Sequence, residues 1–201
     1  MPITPSPPES PPSPGIVVLG RFQPFHRGHE SLLIAAEEWR RENADNHSLI
    51  IAIGSSNRGE SLQNPWSSDE RSAMIEVWLS ESGIRDAEIV SIPDIEDPPN
   101  WVAHAEQYHG MAGVLFTSDA PSAELYGEAG WQVMTTPLDN RESFEGWRVR
   151  ETARMLSTIG DEEAVRAVLS QTVPSVVVEY MVRNDALRRL AFLGEGGEPV
   201  G

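Results

Sequence analysis

The sequence predicts an α/β fold in which a doubly wound parallel sheet of about five strands is covered by helices on both faces. Short apolar runs alternate along the chain with longer segments of helical periodicity, which is the pattern of repeated strand–helix–strand units. Each run is nearly continuous in apolar residues, as expected for parallel strands buried on both faces. The first such unit, residues 16–53, requires a right-handed crossover between parallel strands.

The remaining elements follow in chain order. The first helix, 29–41, carries its apolar side chains on one stripe. A second helix begins after Ser67 or Ser68, either of which is a favourable N-cap. A third helix opens at Trp101, and a fourth at Pro121, because proline suits a first helical turn. The predicted strands are 16–19, 49–53, 88–93, 113–116 and 131–134, and a small C-terminal helical part from about residue 146 includes helices at 161–169 and 174–190.

One domain, residues 15–191, contains all of these elements. Residues 1–14 include seven prolines among serine, threonine and glutamate. Such a segment cannot bury enough apolar surface to offset the entropy of ordering, so we expect a disordered tail. Residues 192–201 follow the last apolar helix pattern, and we expect a second flexible tail there.

The charge balance of the chain is strongly acidic. Aspartate and glutamate number 31 against 15 basic residues, all of them arginine, for a formal net charge of −16. Binding to a nucleic acid polymer needs a basic stripe, and the sequence has none. Molar salt shortens the Debye length to about 3 Å and screens the self-repulsion of such a chain. The composition therefore favours a salt-rich cytoplasm, while a GC-rich genome is the alternative explanation for the missing lysine.

Other classes of protein are excluded by what the sequence lacks. There is no cysteine, which excludes disulfides, thiol catalysis and thiolate metal sites. No apolar run approaches the ~18 residues of a membrane span, and the N-terminus has neither the basic nor the apolar region of a secretory signal. We therefore expect a cytoplasmic protein with no membrane partner.

The turn at 20–29 joins the first strand to the first helix and has the composition of a phosphate-binding site. The first N–H groups of a helix lack intrahelical acceptors, and the helix dipole adds partial positive charge at the same end. His26 and His29 stand at the mouth of the helix, and Arg21 follows the strand directly. Gly28 permits a close approach of a ligand to the backbone or a turn with positive φ. The alternative is a turn whose histidines are incidental.

The string His26-Arg27-Gly28-His29 has the His-x-Gly-His form of the nucleotidylyltransferase superfamily. The longer string from Gly20 to His29, Gly-Arg-Phe-Gln-Pro-Phe-His-Arg-Gly-His, resembles that of the archaeal-type nicotinamide-nucleotide adenylyltransferases. The resemblance extends over about residues 16–191. It implies a Rossmann-like fold, and a homo-oligomer because relatives form hexamers.

The resemblance also assigns residues beyond the carboxyl ends of later strands, where open parallel sheets bind their ligands. Relatives have a phosphate-binding arginine at the place of Arg58, although an arginine in a solvated loop is the alternative. Relatives present a tryptophan to the nicotinamide ring at the place of Trp101, although an aromatic residue packed on the core is the alternative. Asp94, in the acidic run before Trp101, is assigned to the nicotinamide side.

Two places depart from the family pattern. Asp119 stands where relatives have asparagine in a loop that recognises the base, and a carboxylate lacks the donor of the amide. Glu145 and Trp147 replace the two hydroxyl residues of the family string Ser-Gly-Thr-x-Ile-Arg, which hold the triphosphate. Arg150 matches the arginine of that string, and Arg148 with the backbone N–H groups is the candidate substitute for the hydroxyls.

The resemblance implies that ATP and nicotinamide mononucleotide give NAD and pyrophosphate. The substrate phosphate attacks the α-phosphorus of ATP directly, so catalysis consists of positioning and charge stabilisation without a protein nucleophile. Mg²⁺ is carried mainly by the ATP phosphates, and no protein ligand to a metal is implied. The implied catalytic residues are His26, His29 and Arg21, the nicotinamide-binding residues are Trp101 and Asp94, and the ATP- or phosphate-binding residues are Gly20, Arg21, Phe22, Gly28, Arg58, Asp119, Gly146, Arg148 and Arg150.

Two other functions remain open from the sequence. One is a transferase of the same superfamily that uses a different phosphorylated acceptor or CTP. The other is a nucleotide-binding paralogue without turnover, which the departures at Asp119, Glu145 and Trp147 motivate. His104 and His109 are expected at the surface. A zinc site built from these two and the motif histidines His26 and His29 is the alternative, although nothing in their spacing supports it.

Overall fold

The computed structural model describes residues 3–137 and 145–193, and the chain divides into two compact units. Within the described residues, the first unit comprises 3–21, 28–58 and 83–137. The second unit comprises 22–27, 59–82 and 145–193. The assignment of 15–191 to one domain, with C-terminal helices from about 146, stays a prediction.

The first unit is built on a parallel sheet of five strands in the order β3-β2-β1-β4-β5. Every boundary lies within two residues of its predicted position, and the predicted α/β fold is confirmed. The order reverses between β1 and β4, which is the switch point where such sheets bind ligands at their carboxyl ends. The strands are β1 (Ile16–Gly20), β2 (Leu49–Ile53), β3 (Ala87–Ser91), β4 (Val114–Thr117) and β5 (Gln132–Thr135).

Seven α-helices occur in the described residues. Of these, α1, α2, α3 and α4 each lie in the chain between two consecutive strands of the sheet, and a short 3-10 turn at Pro98–Asn100 leads into α3. Helices α2, α5, α6 and α7 lie in the second unit, where α7 packs against α2 and α6. The helices are α1 (Arg27–Asn43), α2 (Ser68–Ser82), α3 (Trp101–His109), α4 (Ala120–Glu128), α5 (Gly146–Leu156), α6 (Glu162–Leu169) and α7 (Ser175–Arg183).

The core of the first unit lies where the central strands meet the helices. Val17 of β1 pairs in register with Ile50 of β2 and Leu115 of β4, and all three side chains are fully buried. Tyr108 of α3 and Tyr126 of α4 close this cluster. The continuous apolar runs of the sequence are explained by this burial, because both faces of the central strands are covered.

His109 corrects an expectation from the sequence, since it is buried rather than at the surface. One ring nitrogen, Nδ1, lies 2.8 Å from the carbonyl oxygen of Gly110, and the other, Nε2, lies 2.8 Å from the hydroxyl of Tyr126. The ring also meets the edge of Trp131, with centroids 5.2 Å apart. Both ring nitrogens are therefore satisfied without water, and burial lowers the pKa of His109, which keeps the imidazole neutral.

The start of α2 follows the sequence closely, with Ser67 as its N-cap. The Ser67 hydroxyl accepts from the Glu70 N–H at 3.2 Å, and a Glu70 carboxylate oxygen accepts from the Ser67 N–H at 2.9 Å. This reciprocal pair is a capping box, which satisfies two N–H groups at the helix start. The same carboxylate bonds to two guanidinium nitrogens of Arg189, which ties the start of α2 to the end of the chain.

The predicted helix at 174–190 is wrong in its second half. Helix α7 ends at Arg183, and a separate 3-10 helix covers Arg188–Ala191. Asp185 has a φ of 50°, a left-handed conformation that stops an α-helix. The Ala186 carbonyl then accepts a hydrogen bond from the indole N–H of Trp66 at 2.9 Å. Apolar periodicity continues through the break, which is why the sequence pattern missed it.

The proline-rich segment has neither helix nor strand in its described residues, 3–14. The carbonyl oxygen of Pro5 accepts a hydrogen bond from the hydroxyl of Tyr108 at 2.9 Å. The disordered tail at 1–14 stays a prediction, and most of the predicted tail at 192–201 lies outside the described residues. None of the described helices has the length and apolar character needed to cross a membrane.

The acidic composition leads to a prediction about salt. We expect the melting temperature, Tm, to rise from dilute buffer to molar potassium chloride, because salt screens the repulsion within a chain of charge −16. Each kcal/mol of relieved repulsion should raise Tm by about 2–4 °C for a chain of this size. Thermal melts followed by circular dichroism measure the effect. A flat or falling Tm would leave codon usage as the explanation for the missing lysine.

Candidate active site

The histidine motif occupies the connection between β1 and α1. Strand β1 ends at Gly20 and α1 begins at Arg27, so His26 immediately precedes the helix and His29 lies in its first turn. The predicted strand–turn–helix arrangement is therefore present, with the helix starting two residues earlier than expected. Gly28 is buried in the first turn. The turn thus places two imidazoles at a helix start, which is a favourable place for an anion.

Three of the five non-glycine residues with positive φ in the described part of the chain follow the carboxyl ends of neighbouring strands. Phe22, Ser55 and Glu96 follow β1, β2 and β3 in the chain, and each has a positive φ near 50°. Non-glycine residues adopt this conformation at a cost of order 1–3 kcal/mol, and functional sites are where such cost is retained. Phe22 and Ser55 are also buried, while Arg21 beside Phe22 is exposed.

Within the second unit, four groups lie close together at a place that we call the Gly146 niche: the Gln23 carbonyl, His26, Gly146 and Arg150. A Cβ on Gly146 would lie 3.2 Å from Nη1 of Arg150, 3.7 Å from Nε2 of His26 and 3.8 Å from the Gln23 carbonyl oxygen. A side chain on Gly146, the first residue of α5, would thus crowd the Arg150 guanidinium, and glycine lets the helix start lie close to Arg150 and His26. Backbone N–H groups of a first helical turn lack intrahelical acceptors. The niche therefore has the donors that a phosphate needs.

His26 is 7% exposed, and its protonation is strongly affected by that burial. Desolvation and, after it, the positive charge of Arg150 lower its pKa from 6.5 to about 4. The imidazole is therefore neutral at pH 7 in the unliganded chain. A bound polyphosphate would offset the charge of Arg150 and favour protonation of His26.

The loop that contains His26 is fixed by Arg27 and the C-terminal helices. Nε and Nη2 of Arg27 donate to the carbonyl oxygen of Ser170 at 3.2 and 2.9 Å. The backbone N–H of Arg27 donates to the carbonyl of Thr172 at 2.8 Å. These bonds explain why residues 22–27 belong to the second unit although they follow β1 in the chain.

Gln23 is a residue to which the sequence interpretation assigned no role. It is 3% exposed, and its side-chain amide pairs with the backbone of Trp66. Its carbonyl oxygen accepts a hydrogen bond from Nη1 of Arg150 at 2.8 Å. One signal in the sequence could have indicated it, namely a polar amide placed between Phe22 and Phe25, both of which are buried.

In the first unit, Arg58 is bound by two carboxylates. Its Nε lies 2.8 Å from Oδ2 of Asp94, and its Nη1 lies 2.9 Å from Oε1 of Glu96. The hydrogen bonds that Arg58 donates to Asp94 and, after it, to Glu96 raise the pKa of Arg58. Asn57 completes the link, because its side-chain amide exchanges two hydrogen bonds of 2.9 Å with the backbone of Asp94. Two predicted site residues, Arg58 and Asp94, are thus brought together, and a phosphate would compete with the carboxylates for Arg58.

Trp101 is the first residue of α3 and is partly buried. It packs against the core of the first unit, and its ring centroid lies 5.8 Å from that of His104. His104 is itself placed by the carbonyl of Pro93, 2.8 Å from its Nε2. Neither interpretation of Trp101 from the sequence is excluded, because the residue packs against the core and is only partly buried.

Asp119 is the N-cap of α4. Its Oδ2 accepts from the backbone N–H of Ser122 at 3.0 Å and from the Ser122 hydroxyl at 2.8 Å. The Asp119 N–H in turn donates to the Thr117 hydroxyl at 3.0 Å. Aspartate and asparagine are equally good N-caps, so this departure from the family pattern preserves the local structure. Its role toward the base stays a prediction.

Three side chains at the start of α5 bond to one another. The Glu145 carboxylate accepts from the indole N–H of Trp147 at 2.7 Å and from Nε of Arg148 at 3.3 Å. The Arg148 guanidinium also lies 4.6 Å from the centroid of the Trp147 ring, a cation–π contact. Glu145 and Trp147, which replace the family hydroxyls, thus both contact Arg148. Binding of Arg148 to phosphate stays a prediction. Phe144, beside this cluster in the chain, lies outside the described residues.

No group of three or more histidine, aspartate or glutamate side chains in the described part of the chain could hold a metal ion. A cavity of about 290 Å³ in the second unit is lined by Arg150 and Arg154 together with Trp147 and the carboxylate-bearing Glu151. The grouping of Arg150 and His26 at the start of α5 is the part of the second unit that suits an anion.

Comparison with known proteins agrees with this chemistry. The model of the cytidylyltransferase-like family matches residues 17–175. A protein of Picrophilus torridus named nicotinamide-nucleotide adenylyltransferase is 31% identical over 181 residues, which cover 90% of this chain and 98% of that one. A protein of the same name from Ignicoccus hospitalis is 33% identical over 88% of this chain and 95% of its own length.

Solved structures share the fold at lower identity. A bifunctional NMN adenylyltransferase/ADP ribose pyrophosphatase from Francisella tularensis, complexed with AMP and a manganese ion, superposes with a TM-score of 0.61 at 20% identity. The match covers 90% of this chain and 52% of that one, so this chain spans about half the length of the bifunctional protein. A second structure of the bifunctional protein gives a TM-score of 0.63.

Proposed function

The chain belongs to the cytidylyltransferase-like family and, within it, to the nicotinamide-nucleotide adenylyltransferases, and from this we propose how its residues make NAD. It is a nucleotidyltransferase that joins ATP and nicotinamide mononucleotide, NMN, and releases pyrophosphate. The single observation that supports the residue roles best is the Gly146 niche, which combines a buried motif histidine with a helix start and an arginine.

The chemistry needs no protein nucleophile. A phosphate oxygen of NMN attacks the α-phosphorus of ATP, the new P–O bond forms in line with the bond to the β-phosphate, and that bond breaks to release pyrophosphate. The protein supplies positioning and stabilisation of the charge that develops on the α-phosphoryl and leaving oxygens.

The roles of the site residues follow from this requirement. His26 and Arg150 bind the triphosphate at the Gly146 niche, and His26 gains a proton as the anion offsets the charge of Arg150. His29, in the first turn of α1, donates to an α-phosphoryl oxygen, and Arg21 is a further phosphate-binding residue. Arg58 is the arginine that exchanges its carboxylate partners for a ligand phosphate.

A divalent metal ion accompanies the nucleotide, and we propose Mg²⁺. Mg²⁺ takes oxygen ligands and usually keeps several waters, so phosphate oxygens and water suffice to complete its coordination. The described residues contain no cluster of three acidic or histidine side chains. When bound, Mg²⁺ neutralises part of the charge on the phosphates. The protein then has to place only the phosphates themselves.

Trp101 and Asp94 bind NMN, the acceptor of the adenylyl group, and we call their part of the site the acceptor side. The role of Trp101 leads to a prediction about NMN affinity. Stacking on a flat ring is worth about 1–3 kcal/mol. Trp101→Ala should therefore weaken NMN binding by roughly tenfold to a hundredfold and leave ATP binding nearly unchanged. Calorimetric titration with each ligand measures both constants.

Trp131→Ala is the matched control for this prediction. Trp131 packs against the same core as Trp101, but it precedes β5 and so lies at the amino end of its strand. If both variants weaken the binding of ATP and of NMN equally, Trp101 has a role in folding alone. If Trp101→Ala changes the affinity for neither ligand, the assignment of the acceptor side is wrong.

One experiment tests the function as a whole. The protein is incubated with Mg²⁺, with ATP or CTP, and with a panel of mononucleotides, and dinucleotide and pyrophosphate are measured. We expect NAD and pyrophosphate from ATP and NMN. Preferred turnover of CTP or of another phosphorylated acceptor would reassign the substrates. Nucleotide binding without product would support the non-catalytic alternative that the Glu145 cluster motivates.

We further propose a cytoplasmic homo-oligomer. The resemblance to hexameric relatives and the absence of any membrane-crossing helix among the described residues support this proposal. Analytical ultracentrifugation in molar salt, where self-repulsion is screened, measures the assembly. A single species with the mass of one chain would contradict it.

A further inference from the structure

The side chain of Gln23 forms two hydrogen bonds with the backbone of Trp66. Its Nε2 donates to the Trp66 carbonyl at 2.8 Å, and its Oε1 accepts from the Trp66 N–H at 3.1 Å. Such a pair requires a donor and an acceptor on the same planar group, so an amide of this length satisfies it and a carboxylate or thioether does not. Because Gln23 is 3% exposed, water does not replace these bonds without rearrangement.

The backbone of the same residue contacts the phosphate site. The Gln23 carbonyl accepts from Nη1 of Arg150 at 2.8 Å. Both atoms lie at the Gly146 niche, beside Nε2 of His26. The amide of Gln23 therefore fixes a peptide whose oxygen holds a guanidinium in place, 127 residues further along the chain.

We propose that Gln23 is a positioning residue for catalysis: by pairing with the backbone of Trp66, it holds the carbonyl that aims Arg150 at the ATP polyphosphate. Gln23 itself touches no substrate. The proposal rests on the assignment of Arg150 to ATP above, and it adds a group that orients the Arg150 guanidinium.

The test compares Gln23→Met with the unaltered protein. Methionine has a similar length and volume but can form neither bond to Trp66. We expect the KM for ATP to rise about tenfold, the effect of losing one well-oriented hydrogen bond of about 1.4 kcal/mol. The KM for NMN should stay the same, because the acceptor side does not depend on Arg150.

Trp66→Phe is the matched structural control. It removes the indole N–H that donates to the Ala186 carbonyl, and it retains the backbone groups that pair with Gln23. Both variants should lower the Tm, but only Gln23→Met should raise the KM for ATP. If Trp66→Phe raises that KM equally, or if Gln23→Met leaves it unchanged, the positioning role is wrong.

A second measurement is independent of turnover. The charge of Arg150 contributes to the low pKa of His26, so displacement of the guanidinium should raise the His26 pKa above its value of about 4. Proton NMR titration of the His26 ring in Gln23→Met and in Trp66→Phe measures this. A rise in Gln23→Met alone supports the proposal even if the protein makes no NAD, whereas an unchanged His26 pKa in Gln23→Met contradicts it.

Discussion

Replacing His29 with alanine should lower kcat by about a hundredfold to a thousandfold and change the KM for ATP little. The reason is that a donor to the α-phosphoryl oxygen bonds most strongly when charge develops there, so its loss raises the barrier more than it weakens binding. The position of His29 in the first turn of α1 supports this role, since the helix start adds its own positive potential. Steady-state kinetics of NAD formation measures both constants.

His47→Ala is a suitable control for that experiment. His47 lies between α1 and β2, and Nδ1 of its ring contacts the side chain of Asn46 at 3.0 Å. This variant removes an imidazole of the same kind and should keep full activity. A result in which His29→Ala raises KM while kcat stays the same would show that His29 binds substrate and transition state equally, against the proposed role.

The second large effect concerns acid stability. In the folded chain the pKa of His26 is lowered from 6.5 to about 4, so the unfolded chain binds a proton more readily across that interval. Stability must then fall as pH decreases from 6.5 to 4 and become independent of this group below both values. The loss should amount to roughly 3 kcal/mol, since one pKa unit corresponds to about 1.4 kcal/mol.

Urea unfolding of the unaltered protein and of His26→Gln, at each pH from 4 to 7.5 and at constant molar salt, isolates this contribution. The carboxylates titrate in both proteins, so their effect cancels in the difference of the unfolding free energies. As the pH falls, the unaltered protein should lose roughly 3 kcal/mol of unfolding free energy relative to His26→Gln. Parallel curves for the two proteins would mean that His26 titrates normally in the folded state.

Much of the fold was accessible from local patterns in the sequence. The central strands have unbroken apolar sequences because they are buried on both faces. The capping box of α2 is indicated in the sequence by a serine three residues before Glu70. The histidine motif was recognisable for the same reason, because its ten residues are contiguous and its strand–turn–helix context is local. These features depend on neighbours in the chain, which the sequence displays directly.

The features that the sequence did not reveal depend on distant partners. His109 looks like a surface residue until Tyr126 and the Gly110 carbonyl are placed against its ring. The carboxylates that bind Arg58 are 36 and 38 residues away from it, and nothing in their spacing indicates the contact. The break after α7 depends on the backbone conformation of Asp185, which the apolar periodicity around it does not report.

The departures from the family string Ser-Gly-Thr-x-Ile-Arg were also hard to interpret from the sequence, because their effect depends on contacts in three dimensions. Glu145 and Trp147 look like lost hydroxyls in the sequence, and the structure shows them bonded to each other and to Arg148. The niche that remains is defined by Gly146, since a Cβ there would lie 3.2 Å from Nη1 of Arg150 and 3.7 Å from Nε2 of His26. Sequence comparison registers the replaced residues, whereas the close approach of the helix start to Arg150 and His26 becomes visible only in three dimensions.

The anchoring of the histidine loop by late residues has a consequence for synthesis on the ribosome. Arg27 is made early, yet its acceptor at Ser170 follows 143 residues later. At about 5–20 residues per second, the nascent chain spends roughly 7–30 s with the loop complete in sequence but without its anchor. A nascent chain at that stage should not bind nucleotide. Ribosome-bound chains should therefore bind to immobilised ATP only after the segment that contains Ser170 has emerged.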